Sequence, residues 1–263
     1  MKKYRRLFLN FMQATLAFKA NFFGEMVMRS LGFFIMVYLW KAVYSESGDI
    51  AGFTFKELLT YFLLVELFRQ FLSVSTFNEI KDGVMEGKIA NYLLLPFNSL
   101  YMYFARNISQ NIVAMFFFVI PVIALILGTN FFVGPASLIS LLLMLLMIII
   151  AFLTSMFLYT LLGSVAFWTV ETGNIIWAFN FIVSFLAGKM IPVQFLPEMI
   201  QKVVQYTPFV AIFNLPASIY LGKFSSDQLI IHFVVQIAWM IGLYYLLVLV
   251  WNKGLKRLEL VGG

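Results

Sequence analysis

The stretch ASLISLLLMLLMIIIAFLTSMFLYTLLGSVAFW, residues 136–168, contains no charged side chain. A helix needs about 20 apolar residues to cross a hydrocarbon core of about 30 Å, and this stretch is longer. In lipid, a single segment satisfies all of its backbone N–H and C=O groups only when it is helical. The stretch therefore predicts a membrane-spanning helix.

Five further stretches support the same interpretation. The chain is 62% hydrophobic and 11% charged, whereas a soluble globular domain is about 25% charged. We therefore predict one all-α integral membrane domain over residues 1–263 with six transmembrane helices. Besides 136–168, these cover residues 21–44, 56–77, 101–128, 172–191 and 226–252.

Residues 1–20, MKKYRRLFLNFMQATLAFKA, predict an amphipathic helix that lies on the membrane before the first span. Their apolar side chains fall on one helical stripe, and most of the basic and amide side chains lie opposite, toward lipid headgroups. A cleaved signal peptide is the alternative. Asn10 and Gln13 argue against it because they interrupt what would have to be a continuous apolar core.

The basic residues that flank the spans predict the orientation of the chain. Cytoplasmic flanks carry an excess of Lys and Arg, so the larger basic group is placed inside, together with both termini and residues 78–97. Because much of the net charge of +6 lies beside span ends, we expect no nucleic-acid partner. The inner group is Lys2, Lys3, Arg5, Arg6, Lys19, Lys81, Lys88, Lys253, Lys256 and Arg257; the outer group is Lys41, Lys56, Lys189, Lys202 and Lys223.

Residues 188–223, GKMIPVQFLPEMIQKVVQYTPFVAIFNLPASIYLGK, are mostly apolar but are interrupted by prolines, including Pro192, Pro197 and Pro208. Proline removes a backbone donor and breaks a helix interior, so one spanning helix is excluded. The pattern predicts short re-entrant helices in the outer leaflet, with Pro197 and Glu198 at the start of one of them. A loop that lies on the surface is the alternative.

No catalytic or cofactor-binding constellation is evident in the sequence. The chain has no cysteine, its single histidine is His232, and no G-x-S-x-G motif occurs. The stretch GVMEGKI, residues 83–89, differs from a phosphate-binding loop in glycine spacing and has Ile89 where Ser or Thr would bind magnesium. We therefore expect no enzymatic activity and no bound metal, nucleotide or other cofactor in this chain.

Two pairs of opposite charges fall inside predicted spans. Glu25 and Arg29 are four residues apart, and Glu66 and Arg69 are three apart, so each pair shares a helix face. Charges at membrane depth are expensive and usually face a bundle interior or water. Each pair is either a structural network between helices or part of a transport pathway.

The stretch EIKDGVMEGKIANYLLLPF, residues 79–97, is charged at its start and apolar at its end. A break near Gly83 or Gly87 predicts a short cytoplasmic helix whose apolar stripe includes Ile89 and Leu93 and which Pro96 ends. Such a helix can dock into a groove of a partner. The alternative is a solvated loop that keeps two spans apart.

Three stretches carry a resemblance to a known family. EIKDGVMEGKIANYLLLPFN resembles the loop after the second span in membrane subunits of ABC-2 type exporters, with an acidic residue, a glycine and a Leu-x-x-Pro ending. LAGKMIPVQFLPEMIQKVVQYTPF is similar to that family's re-entrant stretch after the fifth span. WNKGLKRLELVGG resembles the C-terminus of its daunorubicin-resistance-like branch.

The resemblance implies two membrane subunits, identical or related, on two separate ABC ATPase subunits that hold ATP and magnesium. In this interpretation residues 78–97 are the coupling segment, in which Glu79, Gly83, Gly87, Ile89 and Leu93 contact or shape the ATPase interface. It further implies export of a small lipophilic or amphiphilic substrate across the bacterial cytoplasmic membrane by alternating access.

Two alternative functions stay open at this point. One is an ion-coupled secondary transporter that uses Glu66 and Arg69. The other is a membrane scaffold that transports nothing.

Overall fold

A computed structural model describes residues 10, 13, 19–71, 76–89, 98–128, 132–169 and 173–261. Within these ranges the regular structure is helical, apart from one isolated bridge between Ile50 and Phe53. The α-helices of the described residues are α1 Lys19–Ser47, α2 Phe55–Phe71, α3 Thr76–Met85, α4 Ser99–Gly128, α5 Leu138–Ser164, α6 Gly173–Leu186, α7 Glu198–Val204, α8 Asn214–Tyr220 and α9 Ser226–Val261. Short 3-10 turns cover Val165–Phe167, Val193–Phe195 and Phe209–Ala211.

The all-helical class agrees with the prediction, and each of the six predicted spans coincides with a helix. Among the described residues, two helical stretches are long and apolar enough to cross a bilayer by length and composition, Leu138–Phe167 and Ser226–Arg257. Helices α2 and α6 are shorter than their predicted spans, and Thr76 and Phe77 belong to α3 rather than to the helix of the second span. The number of six spans therefore stays a prediction.

Reciprocal capping starts helices α2 and α9. The Thr54 backbone N–H donates to Glu57 Oε2 at 2.8 Å, and the Glu57 N–H donates to Thr54 Oγ1 at 3.3 Å. Ser225 and Gln228 repeat this exchange before α9, at 3.0 and 3.4 Å. Each capping box satisfies helix-end donors that have no partner within the helix.

Helix α5 lies at the centre of the described structure, and α3, α8 and α9 pack against it. Its Met147 and Ala151 are fully buried, as is Leu247 of α9. The opposite faces of these helices carry exposed apolar side chains such as Leu138 and Val234. A surface of this kind is stable in hydrocarbon, where apolar side chains need no cover.

The predicted interfacial helix at residues 1–20 lies almost entirely outside the described residues. Lys19 and Ala20, at its end, belong to α1. Leu93 and Pro96 also lie outside the described residues.

Candidate functional site around helix α3

Helix α3 is fixed to the rest of the chain along one face. Its buried residues include Phe77, Ile80 and Gly83, which recur at the spacing of one helix side. Gly163 of α5 comes so close that a β-carbon there would lie 3.2 Å from both the Ile80 Cβ and the Phe77 backbone. The glycine therefore lets the two helices approach each other closely.

A polar contact joins the same helix to α4. Arg106 Nε lies 3.3 Å from Glu79 Oε1, and Gln110 Nε2 donates to the same oxygen at 3.0 Å. The Glu79 side chain is 16% exposed, so solvent screens this ion pair less than one at an open surface. Sequence reasoning singled out Glu79 but assigned it no partner on α4.

A second contact joins α3 to α4 and, through it, to α9. A β-carbon at Gly83 would lie 3.0 Å from the Tyr103 hydroxyl oxygen. The Tyr103 ring packs edge-on against Trp251, at 5.8 Å between centroids, and Trp251 packs edge-on against Phe167 at 5.5 Å. The Phe167 ring in turn touches Gly254. We call Glu79, Arg106, Gln110, Gly83, Tyr103, Trp251, Phe167, Gly254 and Gly163 the α3 joint.

The opposite face of α3 is open. Asn78, Asp82 and Met85 of α3 and Glu86 after it are exposed, and Met85 retains 49% of its accessible surface. We call these four residues the open stripe. Because an apolar methionine lies between polar neighbours, the stripe can make both apolar and hydrogen-bonded contacts with another protein.

The chain turns directly after α3. Gly87 has a φ of +70°, which a glycine adopts without steric cost, and this position agrees with the predicted break. Lys88 forms an ion pair with Glu86, and that hydrogen bond raises the pKa of Lys88. Ile89 is buried.

Helix α3 ends before Gly87. The short helix predicted after Gly87 lies mostly outside the described residues, so it stays a prediction. Glu79, Gly83 and Ile89 face the chain's own helices, and Gly87 is exposed. Their assignment to an ATPase interface stays a prediction.

Of the two predicted intramembrane charge pairs, the structure describes the side chains of one. Arg69 and Glu66 form an ion pair at 3.3 Å, with 37% and 28% of their side chains exposed. The remaining carboxylate oxygen of Glu66 is buried and has no hydrogen-bond partner among the residues that the structure describes. The side chains of Glu25 and Arg29 lie outside the described residues, so that pair stays a prediction.

Comparison with protein families decides what kind of chain carries these features. The model of the ABC-2 family transporter protein matches residues 30–262. This chain belongs to the ABC-2 transporter family. A search of curated proteins found no match. Membership makes the chain an integral membrane protein and a permease component of an ABC transporter. Such a component implies ATPase partner subunits. The sequence of this chain, which has no phosphate-binding loop, agrees with that division.

Residues 188–223, which are predicted to face outward and which we call the outer segment, are organised by Asn214. Its Oδ1 accepts the Val193 N–H at 2.9 Å and lies 3.1 Å from the Tyr61 hydroxyl, which donates to the Gly188 carbonyl at 2.6 Å. The Asn214 N–H donates to Ala187 at 3.0 Å. These bonds join the N-terminal half of α2 to two parts of the outer segment.

The predicted prolines fall at the ends of short helices in this segment. Pro192 precedes the turn Val193–Phe195, Pro197 precedes α7 with Glu198 in its first turn, and Pro208 precedes Phe209–Ala211. The predicted helix start at Pro197 is confirmed. Whether these short helices re-enter the bilayer stays a prediction.

A partly buried ion pair links the end of the outer segment to the start of α2. Lys223 Nζ lies 2.6 Å from Glu57 Oε1 and 2.7 Å from the Gly52 carbonyl, with the Phe53 ring centroid at 4.7 Å. The two charged side chains are 17% and 22% exposed. The sequence placed Lys223 in the outer basic group but did not reveal Glu57 as its partner, because the two positions are far apart in the chain.

Within the described part of the permease, His, Asp and Glu side chains form no group that could hold a metal ion. His232 is buried and packs against Phe224, with 4.8 Å between ring centroids. The contacts of the α3 joint link three helices and can transmit movement between them.

Proposed function

We propose that this permease exports a small lipophilic or amphiphilic molecule across the bacterial cytoplasmic membrane and is driven by separate ABC ATPase subunits. The two different faces of α3 carry the proposal. One face is fixed in the α3 joint, and the other presents the open stripe around Met85. In this proposal the open stripe binds an ATPase subunit, and that ATPase subunit binds ATP and magnesium.

Movement of the ATPase subunits is transmitted through the α3 joint to three helices. Glu79 and Arg106 pass it to α4, and the close approach at Gly163 passes it to α5. The packed rings of Tyr103 and Trp251 pass it to α9. Packed interiors change between discrete arrangements rather than deforming continuously, so a push on α3 shifts these helices together.

Helix α2 connects this inner joint to the outer segment. Only residues 72–75 separate it from α3, and its outer half is bonded to Asn214 and Gly188 through Tyr61. Displacement of α3 therefore reaches the outer segment along α2. We propose that this segment closes the outer end of the pathway in the inward-open state and moves aside in the outward-open state.

In the proposed assembly two such subunits, identical or related, surround the pathway, and both termini are cytoplasmic. The side chains of Glu66 and Arg69 are 28% and 37% exposed in the middle of a predicted span, where lipid tails cannot solvate them. We place this pair on the pathway, where water or substrate reaches it. Residues 1–20 lie on the inner membrane surface in this proposal.

The test uses proteoliposomes that contain the permease and an ABC ATPase that co-purifies with it. Vanadate-sensitive substrate movement is expected. Movement that needs an ion gradient but no ATP would instead support a secondary transporter that depends on Glu66 and Arg69. A chain that moves no substrate under either condition would support the scaffold alternative.

A pair of methionine variants tests the docking surface itself. Met85→Glu places a charge on the open stripe, and we expect it to abolish co-purification of the ATPase while the permease still inserts into the membrane. Met199→Glu is the matched control, because Met199 on α7 is 81% exposed on a different helix. Equal co-purification with both variants would exclude the open stripe as the docking surface.

A further inference from the structure

Helix α6 carries a polar side chain where an apolar one would be expected. Asn180 lies at the middle of this apolar helix and is exposed, while its Oδ1 accepts the Tyr159 hydroxyl at 2.6 Å. That bond fixes the amide, so its two N–H donors point away from Tyr159. Lipid tails offer no acceptor for them, and an unsatisfied polar group in hydrocarbon is costly.

Two aromatic rings lie beside this amide. Trp177 and Phe181 are 74% and 60% exposed, and their rings are nearly parallel, at 13° with 6.3 Å between centroids. At helical spacing both rings share a face with Asn180 and Ser184. This face, which we call the amide face, combines a flat apolar surface with fixed hydrogen-bond donors.

The other faces of α6 have different chemistry. Val183 is buried and Phe179 packs edge-on against Tyr159, so this side faces the chain itself. Ala178 and Ile182 are exposed on a third side, which is apolar and carries a small residue. Small and apolar residues suit contact with lipid or with another membrane helix. The amide face is thus the side of α6 whose hydrogen-bond donors would find no acceptor among lipid tails.

We propose that the amide face of α6 binds the transported molecule, and that it selects planar amphiphiles carrying a hydrogen-bond acceptor. The inference rests on the proposed function. The ligand stacks on Trp177 and Phe181 and accepts a hydrogen bond from the Asn180 amide. Tyr159 acts as a positioning residue, because it holds the amide in the donating orientation and does not itself contact the ligand.

The test uses the natural absence of cysteine from the chain. Ser184→Cys places one thiol on the amide face, and Ile182→Cys places one on the apolar face as the matched control. Each full-length variant, in lipid nanodiscs without ATP, is labelled with a maleimide in the presence of Nile red, which is planar and has a carbonyl acceptor. Pyrene, which is planar but has no acceptor, is the comparison probe.

We expect Nile red to slow labelling at Ser184→Cys and not at Ile182→Cys, and to act at lower concentration than pyrene. Adding Asn180→Leu should raise the half-protecting concentration of Nile red about fivefold, the factor typical of one net hydrogen bond, and leave that of pyrene unchanged. Tyr159→Phe should give a smaller increase for Nile red alone. A general loss of folding would instead raise the half-protecting concentrations of both probes.

Equal protection by the two probes, or protection that Asn180→Leu does not alter, would overturn the proposal. So would spontaneous disulfide-linked dimers of the Ser184→Cys chain, because they would show that a second copy covers the amide face. Labelling needs neither ATP nor the ATPase subunits. A negative result here therefore leaves the proposed export function intact, and failure of ATP-driven export leaves this binding test readable.

Discussion

The Nε atom of Arg106 lies 3.3 Å from Oε1 of Glu79, and this ion pair links α3 to α4 across 27 positions of the chain. The same oxygen also accepts a hydrogen bond from Gln110. Because Arg106 and Gln110 both contact the carboxylate of Glu79, the contributions of these three side chains to stability depend on one another.

We predict that Glu79→Leu and Arg106→Leu each lower the free energy of unfolding, and that the double variant loses less than the sum of the two. The expected coupling is about 1 kcal/mol, typical of residues in one network. Denaturant titration of the purified permease in micelles measures it. The exposed pair Glu86 and Lys88 is the control, because surface pairs contribute little. Additive losses at Glu79 and Arg106 would contradict the prediction.

The position of this ion pair shows what the sequence can and cannot predict. Local rules predicted a break near Gly83 or Gly87, of which the structure shows the one at Gly87, and a helix start at Pro197. Glycine at positive φ and proline at a helix end are properties of single positions. Helix α3 was missed for a different reason. Its apolar residues Phe77 and Ile80 are separated by the polar, exposed Asn78, so they do not form an apolar run. The surface of α5 against which they pack is distant in sequence.

Contacts between distant residues account for the rest of what was missed. The Tyr61 hydroxyl lies 3.1 Å from an oxygen of Asn214 across 153 positions of the chain, and no local pattern marks either residue as a partner of the other. The same holds for Lys223 and Glu57, which are 166 positions apart. Apolar runs therefore predicted the helices, whereas the joints between them depend on how the helices pack.

Substitution by alanine should change the stability of the permease in opposite directions at two glycines of α9. Gly254 touches the Phe167 ring, so a methyl group there would push the ring out of the α3 joint; Gly242 has no other atom within 4 Å of its β position. We predict that Gly254→Ala destabilises the permease, whereas Gly242→Ala stabilises it by about 0.5–1 kcal/mol through helix propensity. Thermal unfolding in detergent compares the two. Equal shifts would show that Gly254 has room for a methyl group.

The ion pair of Lys223 and Glu57 should contribute more to stability than an exposed pair of the same type. Lys223 and Glu57 are 2.6 Å apart and mostly buried, whereas Lys202 and Glu198 are 3.9 Å apart with at least 75% of each side chain exposed. We predict that Lys223→Gln costs about 1.5–3 kcal/mol, the range for hydrogen bonds to charged groups. Lys202→Gln should cost nearly nothing. Unfolding titrations measure both, and a similar cost for the two variants would contradict the prediction.

The close contact between Gly188 and Tyr61 leads to the sharpest prediction about the outer segment. A β-carbon at Gly188 would lie 2.5 Å from the Tyr61 hydroxyl oxygen and 2.8 Å from the Asn214 Cβ, and the residue has a φ of +79°. Gly188→Ala therefore adds a steric overlap to the backbone strain of a positive φ, which itself costs about 1–3 kcal/mol.

Gly48 provides the matched control because its φ is +65° but no other atom lies within 4 Å of its β position. We predict that Gly48→Ala shows the strain alone and that Gly188→Ala lowers the unfolding temperature considerably further. Adding Tyr61→Phe to Gly188→Ala should recover part of the loss, because it removes the overlapping oxygen. If the two alanine variants unfold at the same temperature, then no steric overlap limits Gly188 and the prediction is wrong. If Tyr61→Phe makes Gly188→Ala less stable still, then the hydrogen bond from Tyr61 to Gly188 matters more than the overlap.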